Sequence, residues 1–437
     1  MSSNADWLAR SRAAVWHPCT QMKVHETVPL VPIAGGQGAW LHDFDGRRYL
    51  DAVSSWWVNL FGHAHPRIVE AIERQARTLP HAMLAGFTHA PVVELSERLR
   101  ALAPGGLGHA FYASDGASAT EIALKMSFHY WRNRGHADKR GFVALAGGYH
   151  GETLGALSVT DVAIFRDAYA PIVRRNATVP CPDARRGADA VSAALSALEA
   201  ELERHHATLA ALIVEPLVQG ASGMVMYDVD YLVQARALCT RYKVHLIADE
   251  IMTGFGRTGT LFAWEQAMAR GDAACAPDFL CLSKGITGGT LPLSCVLTTD
   301  AVYEAFYADD VARGFLHSHS YTGNALACAA ALAVLRIFEE QDVIASNRAK
   351  AQRWGERAQA LAAHAKVRDF RQRGMILAFE VETARADFAR WCFVEGLKRE
   401  ILLRPIGSTV YFMPPYVVED AEFALLVDRT LEIVESA

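Results

Sequence analysis

The sequence predicts an α/β protein: a large domain built on a mostly parallel sheet covered by helices, and a smaller α+β domain. Three observations carry that prediction. Short runs rich in Val, Ile and Leu, with no polar alternation, recur between residues 110 and 298, the pattern of strands buried on both faces. Segments with apolar residues at helical spacing separate them. After residue 340 the texture changes to helices alternating with isolated β segments. A chain of 437 residues suits two or three domains. The expected division is 1–61 as an N-terminal segment of the small domain, 62–335 as the large domain, and 336–437 as the C-terminal part of the small one.

The elements follow in order. Residues 38–51, GAWLHDFDGRRYLD, read as a hairpin turning at Asp45-Gly46. SSWWVNLFGHAHP (54–66) is an aromatic loop ending at Pro66. Ile68, Val69, Ile72, Ala76 and Leu79 give a helix over 66–79, and 91–102 repeats that spacing. Strands are expected at 110–113, 142–146, 211–215, 245–249, 279–282 and 293–298, with helices at 117–134, 190–205, 230–242 and 324–340. The last part reads as helix 345–363, strand 375–380, helix 386–399, β segment 410–413 and helix 419–435.

Composition narrows the function. At 51% hydrophobic residues the chain is no disordered protein. A net charge of −5 gives no electrostatic reason to expect nucleic acid or an anionic membrane as partner. No signal peptide and no run of about 18 apolar residues is visible, so a cytoplasmic protein is expected. The eight cysteines form no C-x-x-C pair and read as reduced thiols. His63-Ala64-His65 and His317-Ser318-His319 lack acidic or thiolate companions at ligand spacing, so no metal is expected.

In an α/β sheet, ligands bind where strands end, and four strand ends stand out. Ser114-Asp115-Gly116-Ala117-Ser118 leads into a helix N-terminus, either an anion seat or a plain N-cap. Gly147-Gly148-Tyr149-His150-Gly151 either leaves an aromatic ring free to stack or is a tight turn with a packed Tyr149. Asp249 ends an apolar strand, where a carboxylate needs a positive partner such as a protonated ring nitrogen, or else caps the next loop. Lys284 directly follows Phe279-Leu280-Cys281-Leu282. A desolvated lysine there is a Schiff-base nucleophile; judged alone, it reads equally as a surface lysine. A phosphate seat, a stacking ring, an acid for a ring nitrogen and a nucleophilic lysine together are what pyridoxal 5′-phosphate requires. Glu215-Pro216 also closes a strand, with no catalytic role assigned.

IADEIMTGFGRTG (247–259), LSKGITGG (282–289), GGYHG (147–151) and YTGNALACAAALAVL (321–335) resemble class III, fold-type I pyridoxal-phosphate aminotransferases, and the resemblance covers nearly the whole chain. It implies a large domain with a seven-stranded type of sheet. WHPCTQM (16–22), the double tryptophan, AGFTHAP (85–91), ALKMSFHYW (123–131) and RPIGSTVYFMPPY (404–416) resemble the branch acting on 8-amino-7-oxononanoate, with S-adenosylmethionine as amino donor, in biotin synthesis.

The resemblance implies these roles. Lys284 holds the cofactor and shuttles a proton, Asp249 pairs with the pyridine nitrogen, and Tyr149 stacks near the ring facing substrate. Gly116 and Ala117 cradle the phosphate. Ser320, beside His319, binds the phosphate of the other subunit's cofactor, so a homodimer with its active site at the interface is implied. Trp56, Trp57, Ser318 and Arg404 bind substrate, Arg404 by clamping a carboxylate. This chain departs from the pattern in several places. Cys19 stands where a substrate-contacting tyrosine is usual, Ala117 replaces a serine, Ser318-His319 replace Gly-Pro, and Ser320 replaces a threonine. Ser114 and Ser118 are then the hydroxyls that could serve the phosphate. The alternatives are an ω-amine:pyruvate type of transaminase, the same acceptor with lysine as donor, or a cofactor-binding protein without transaminase activity.

Overall fold

Seven strands form the sheet that positions the site. They are β1 (His109–Ala113), β2 (Gly141–Leu145), β3 (Ala177–Val179), β4 (Leu209–Val214), β5 (His245–Asp249), β6 (Phe279–Leu282) and β7 (Ser294–Thr298). Their order is β1-β7-β6-β5-β4-β2-β3. β7 runs antiparallel to both its neighbours, and every other adjacent pair is parallel. This computed structural model describes residues 3–437, the side chain of Pro104 excepted. It divides into two compact units, Arg67–Ser346 and Met1–Pro66 with Asn347–Ala437. The sheet belongs to the first.

Every residue of β4, β5, β6 and β7 is buried, which explains their continuous apolar runs. Alternation still assigns faces. Ile213, Ile247, Cys281 and Val296 share one cluster with Ile122, Ala123 and Met126 of helix α1 (Gly116–Asn133). Three more helices separate or follow the strands: α2 (Ala190–His205), α3 (Val229–Arg241) and α4 (Ala325–Gln341). Three of the four are capped by a side chain. Asp115 accepts from the Ser118 amide, Asp228 from that of Asp230, and Asn324 from that of Ala327. This is the α/β arrangement that the patterning predicts. The three residues of β3 are too few for a pattern to show, and that strand is not foreseen.

The smaller unit carries two sheets. Strands Ile33–Gln37, Trp40–Asp43, Arg48–Asp51 and Ile401–Leu402 form one, the last parallel to the third. The hairpin expected at 38–51 is its centre, with Gly46 at φ +86°. Val367–Arg373, Ile376–Val381 and Thr409–Phe412 form an antiparallel sheet. Val367–Arg373 is not foreseen, because a charged edge strand of sequence VRDFRQR shows no apolar face. Helix Asn4–Ala14 is missed for a similar reason. It buries no residue and is set by a Ser3–Asp6 capping box. Among the described residues, no helix is long and apolar enough to cross a membrane.

Ile247 is fully buried between β4 and β6 on the α1 side. Ile247→Ala is expected to destabilise the protein by about 2–5 kcal/mol, read as a lower urea midpoint. An unchanged midpoint would contradict this packing.

Candidate active site

One edge of the sheet collects the chemistry. β1, β2, β4, β5 and β6 end there and β7 begins there, with Ala113 opposite Ser294 and Asp249 opposite Cys281. Asp249, the last residue of β5, is 3% exposed. Its Oδ1 accepts from the Ile251 amide at 3.1 Å. Its Oδ2 lies 2.7 Å from Nδ1 of His150, also buried. A carboxylate can only accept, so Nδ1 carries the hydrogen. The His150 amide donates to Thr160 Oγ1 at 3.0 Å. His150 Nε2 is buried with no hydrogen-bond partner among the described residues.

Lys284 follows the end of β6 by two residues, on the strand next to β5, with φ +46°. Burial lowers its ammonium pKa, with the Asp249 and Glu215 carboxylates opposing. A lysine so desolvated holds its proton loosely, as a nucleophile and proton carrier must. Glu215 sits just past β4. Its Oε2 accepts from the Tyr149 amide at 2.9 Å and its Oε1 from the Gly220 amide at 3.0 Å. Burial pushes its pKa up to about 7. It carries the same signal as Asp249, an acid closing an apolar strand, yet the sequence reading assigns it no role. His150 is likewise missed, because its link to Asp249 spans 99 residues.

Tyr149 is partly exposed; its hydroxyl donates to Glu152 Oε1 at 2.8 Å and its ring stands 5.3 Å from Phe165. At the head of α1, the N-cap reading of the 114–118 loop holds. Asp115 caps the helix, taking the Ser118 amide at 2.9 Å and the Ser118 hydroxyl at 2.8 Å. The amides of Gly116 and Ala117 lie in the first turn, where a helix offers N–H groups to an anion. Ser114 is left as the hydroxyl not engaged by that cap. Gly151, at φ +118°, closes over this turn: a Cβ there would stand 2.5 Å from that of Ala117. The residues at 117 and 151 must both be small for the two loops to meet.

Ser318 and Ser320 lie exposed in a loop on the same unit. His317 Nδ1 is 2.7 Å from Lys125 Nζ of α1. The Thr322 hydroxyl donates to the His319 carbonyl at 2.9 Å, and the Tyr321 amide to His319 Nδ1 at 3.2 Å.

The smaller unit brings Trp56, Trp57 and Arg404 together. The guanidinium of Arg404 lies 4.1 Å over the Trp56 ring. Arg404 is exposed and has no ion-pair partner among the described residues. Trp57 is 5% exposed, and its Nε1 donates to the Tyr411 hydroxyl at 3.0 Å. Ser54, Ser55, Trp56 and Trp57 have φ of 52°, 46°, 70° and 72°, a single left-handed turn that costs about 1–2 kcal/mol per residue. Cys19 is exposed, at φ +53°.

Comparison with known proteins agrees with this arrangement. The profile of the family described as aminotransferase class-III matches residues 21–434. The adenosylmethionine-8-amino-7-oxononanoate aminotransferase of Helicobacter pylori is 44% identical over 429 residues, 96% of each chain. The crystal structure of the like-named protein of Methanocaldococcus jannaschii superposes with a TM-score of 0.93 at 34% identity, over 99% of both chains. An amine transaminase from an uncultivated Pseudomonas species, in its PLP-bound form, gives 0.89 at 29% identity, over 97% of this chain and 98% of that one.

Glu250, next to Asp249, supports the loop beyond it. Fully buried, it accepts from the amides of Ala263 at 2.6 Å and Trp264 at 2.7 Å. Burial raises its pKa from 4.5 to about 8, so the protonated acid is the form the fold favours. The stability it contributes is complete below 4.5 and is lost as pH rises through about 8. The destabilisation caused by Glu250→Gln is therefore expected to be largest below pH 4.5, to shrink as pH rises from there to about 8, and to level off above it. Urea midpoints of both proteins across that range test it. A difference that widens with pH would refute the assignment.

Proposed function

Because the chain belongs to the class-III aminotransferase family, and so is a pyridoxal-phosphate-dependent aminotransferase, we propose that its acceptor is 8-amino-7-oxononanoate. The donor is S-adenosylmethionine and the product 7,8-diaminononanoate, a step of biotin synthesis. The observation that carries this reading is the 44% identity, over 96% of both chains, to the Helicobacter pylori protein of that activity.

The residues of the larger unit fit the cofactor. Two backbone amides in a helix's first turn suit a phosphate. A buried acid suits a protonated ring nitrogen, and a desolvated lysine suits an aldehyde. When bound, pyridoxal phosphate supplies an electron-withdrawing ring that stabilises negative charge on the substrate carbon bearing the amino group. Asp249 holds the ring-nitrogen proton, and His150 keeps that carboxylate aimed. Lys284 Nζ holds the cofactor at rest. Desolvated as it is, the Lys284 amine would also be the group that carries the proton taken from the substrate carbon. Tyr149 offers its ring for stacking. Arg404, with no internal carboxylate to satisfy, is suited to grip the acceptor's carboxylate in a bidentate pair. Trp56 stacks under that guanidinium and would line the wall beside the clamp, with Trp57 buried next to it in sequence.

Ser320, with His319, serves a second copy of the chain by reaching the phosphate of that copy's cofactor, and Ser318 contacts substrate. Leu316 is 78% exposed and Tyr321 62%, and apolar groups flanking a polar one in this way mark a contact surface. All eight cysteines are free thiols, as in a protein of the cytoplasm.

The purified protein should be yellow, lose that band on adding S-adenosylmethionine alone, and regain it on adding 8-amino-7-oxononanoate. Lys284→Ala should do neither. A band unmoved by S-adenosylmethionine but discharged by lysine or a simple amine would replace the donor. A protein that cannot take up pyridoxal phosphate would overturn the reading. Sedimentation should give a dimer that Leu316→Lys weakens; a monomeric wild type would remove the role given to Ser320.

A further inference from the structure

The left-handed turn Ser54–Trp57 is held by side chains outside the cofactor site. Asp51, the last residue of its strand, is wholly buried. Its Oδ1 accepts from the Val53 amide at 3.2 Å. Its Oδ2 accepts from the Ser55 hydroxyl at 2.8 Å and lies 3.1 Å from His63 Nε2. Asn59 Oδ1 accepts from the Gly62 amide at 2.7 Å, and its Nδ2 lies 3.2 Å from His63 Nδ1. An amide nitrogen only donates, so Nδ1 is the accepting nitrogen of that ring and Nε2 carries the hydrogen toward Asp51. On the far side, the Ser54 hydroxyl donates to the Met413 carbonyl at 2.7 Å and Trp57 Nε1 to the Tyr411 hydroxyl at 3.0 Å. Four consecutive non-glycine residues do not stay left-handed unless something over-determines them. Here the pins converge on one carboxylate. What the turn presents is the Trp56 ring, 38% exposed, with Arg404 stacked on it.

We propose that Asp51, acting through Ser55 and His63, is a positioning residue. It locks the turn that sets Trp56 against Arg404, and so fixes the guanidinium plane offered to the acceptor's carboxylate. The proposal rests on the reading of Arg404 as the carboxylate clamp. It assigns to Asp51, Ser55 and His63 control of substrate binding and no part in proton transfer.

Ser55 is exposed, so Ser55→Ala deletes one pin and leaves the core intact. Its KM for 8-amino-7-oxononanoate should rise about tenfold, the low end of the effect of one lost hydrogen bond to a charged group. kcat and the cofactor absorbance should stay as in the wild type. Ser55→Gly, which relaxes the backbone but also lacks the hydroxyl, should match Ser55→Ala, and His63→Gln should shift KM in the same direction. Acrylamide should quench the tryptophan fluorescence of Ser55→Ala more than that of the wild type, and the excess should vanish in a Trp56→Phe background. Unchanged KM and quenching, or a fall in kcat together with loss of cofactor, would overturn the proposal. Should the wild type not use this acceptor, the function reading fails, and the quenching comparison still decides whether Asp51 and Ser55 position Trp56.

Discussion

The larger unit is organised around a buried carboxylate. Asp249 stands at the end of an all-buried strand, where an unpaired charge would be prohibitively unfavourable. The Ile251 amide and the His150 ring take its two oxygens, and the next strand delivers Lys284 close by. Glu215 adds a second acid, itself held by two backbone amides. These groups set one another's proton affinities. The acids resist the fall in the lysine's pKa, and burial raises that of Glu215. The cluster is rigid because each acid is tied to backbone, and tied backbone is what keeps a reacting geometry constant through a catalytic cycle.

Strand direction makes this possible. With β1, β2, β4, β5 and β6 parallel, their exits lie on one edge, and each exit feeds a loop with a different task. β7 alone is reversed, so it contributes no exit to that edge and lets the chain return from the Lys284 loop without a long crossover.

Much of this is legible in the residues. The strands at 245–249 and 279–282 are continuous apolar runs, and a charged residue after such a run attracts attention at once. Asp249 and Lys284 are found that way. The glycines at 147, 148 and 151 are legible too, although the reason for Gly151, contact with Ala117, needs coordinates. His150 escapes notice, and Glu215 is noticed without a role, because what defines both is a contact distant in sequence. The left-handed turn is beyond local reading altogether. Nothing in SSWW disfavours an ordinary helix, and the groups that hold the turn combine the nearby Asp51 carboxylate with partners 359 and 354 residues away, at Met413 and Tyr411. Where a pattern is periodic the fold can be read; where a conformation is imposed from afar it cannot.

The backbone of Lys284 has an evolutionary consequence. At φ +46° the position favours glycine and tolerates other residues under strain. On the role proposed for Lys284, fold stability and chemistry pull on codon 284 in opposite directions, and the need for an amine is what holds lysine there. In a lineage that obtains its product elsewhere, that need lapses and drift runs downhill toward glycine or asparagine, with a steadier scaffold as the outcome. If that role holds, replacement of this lysine by glycine in an otherwise intact chain would date the loss of the reaction to a time before any loss of the fold.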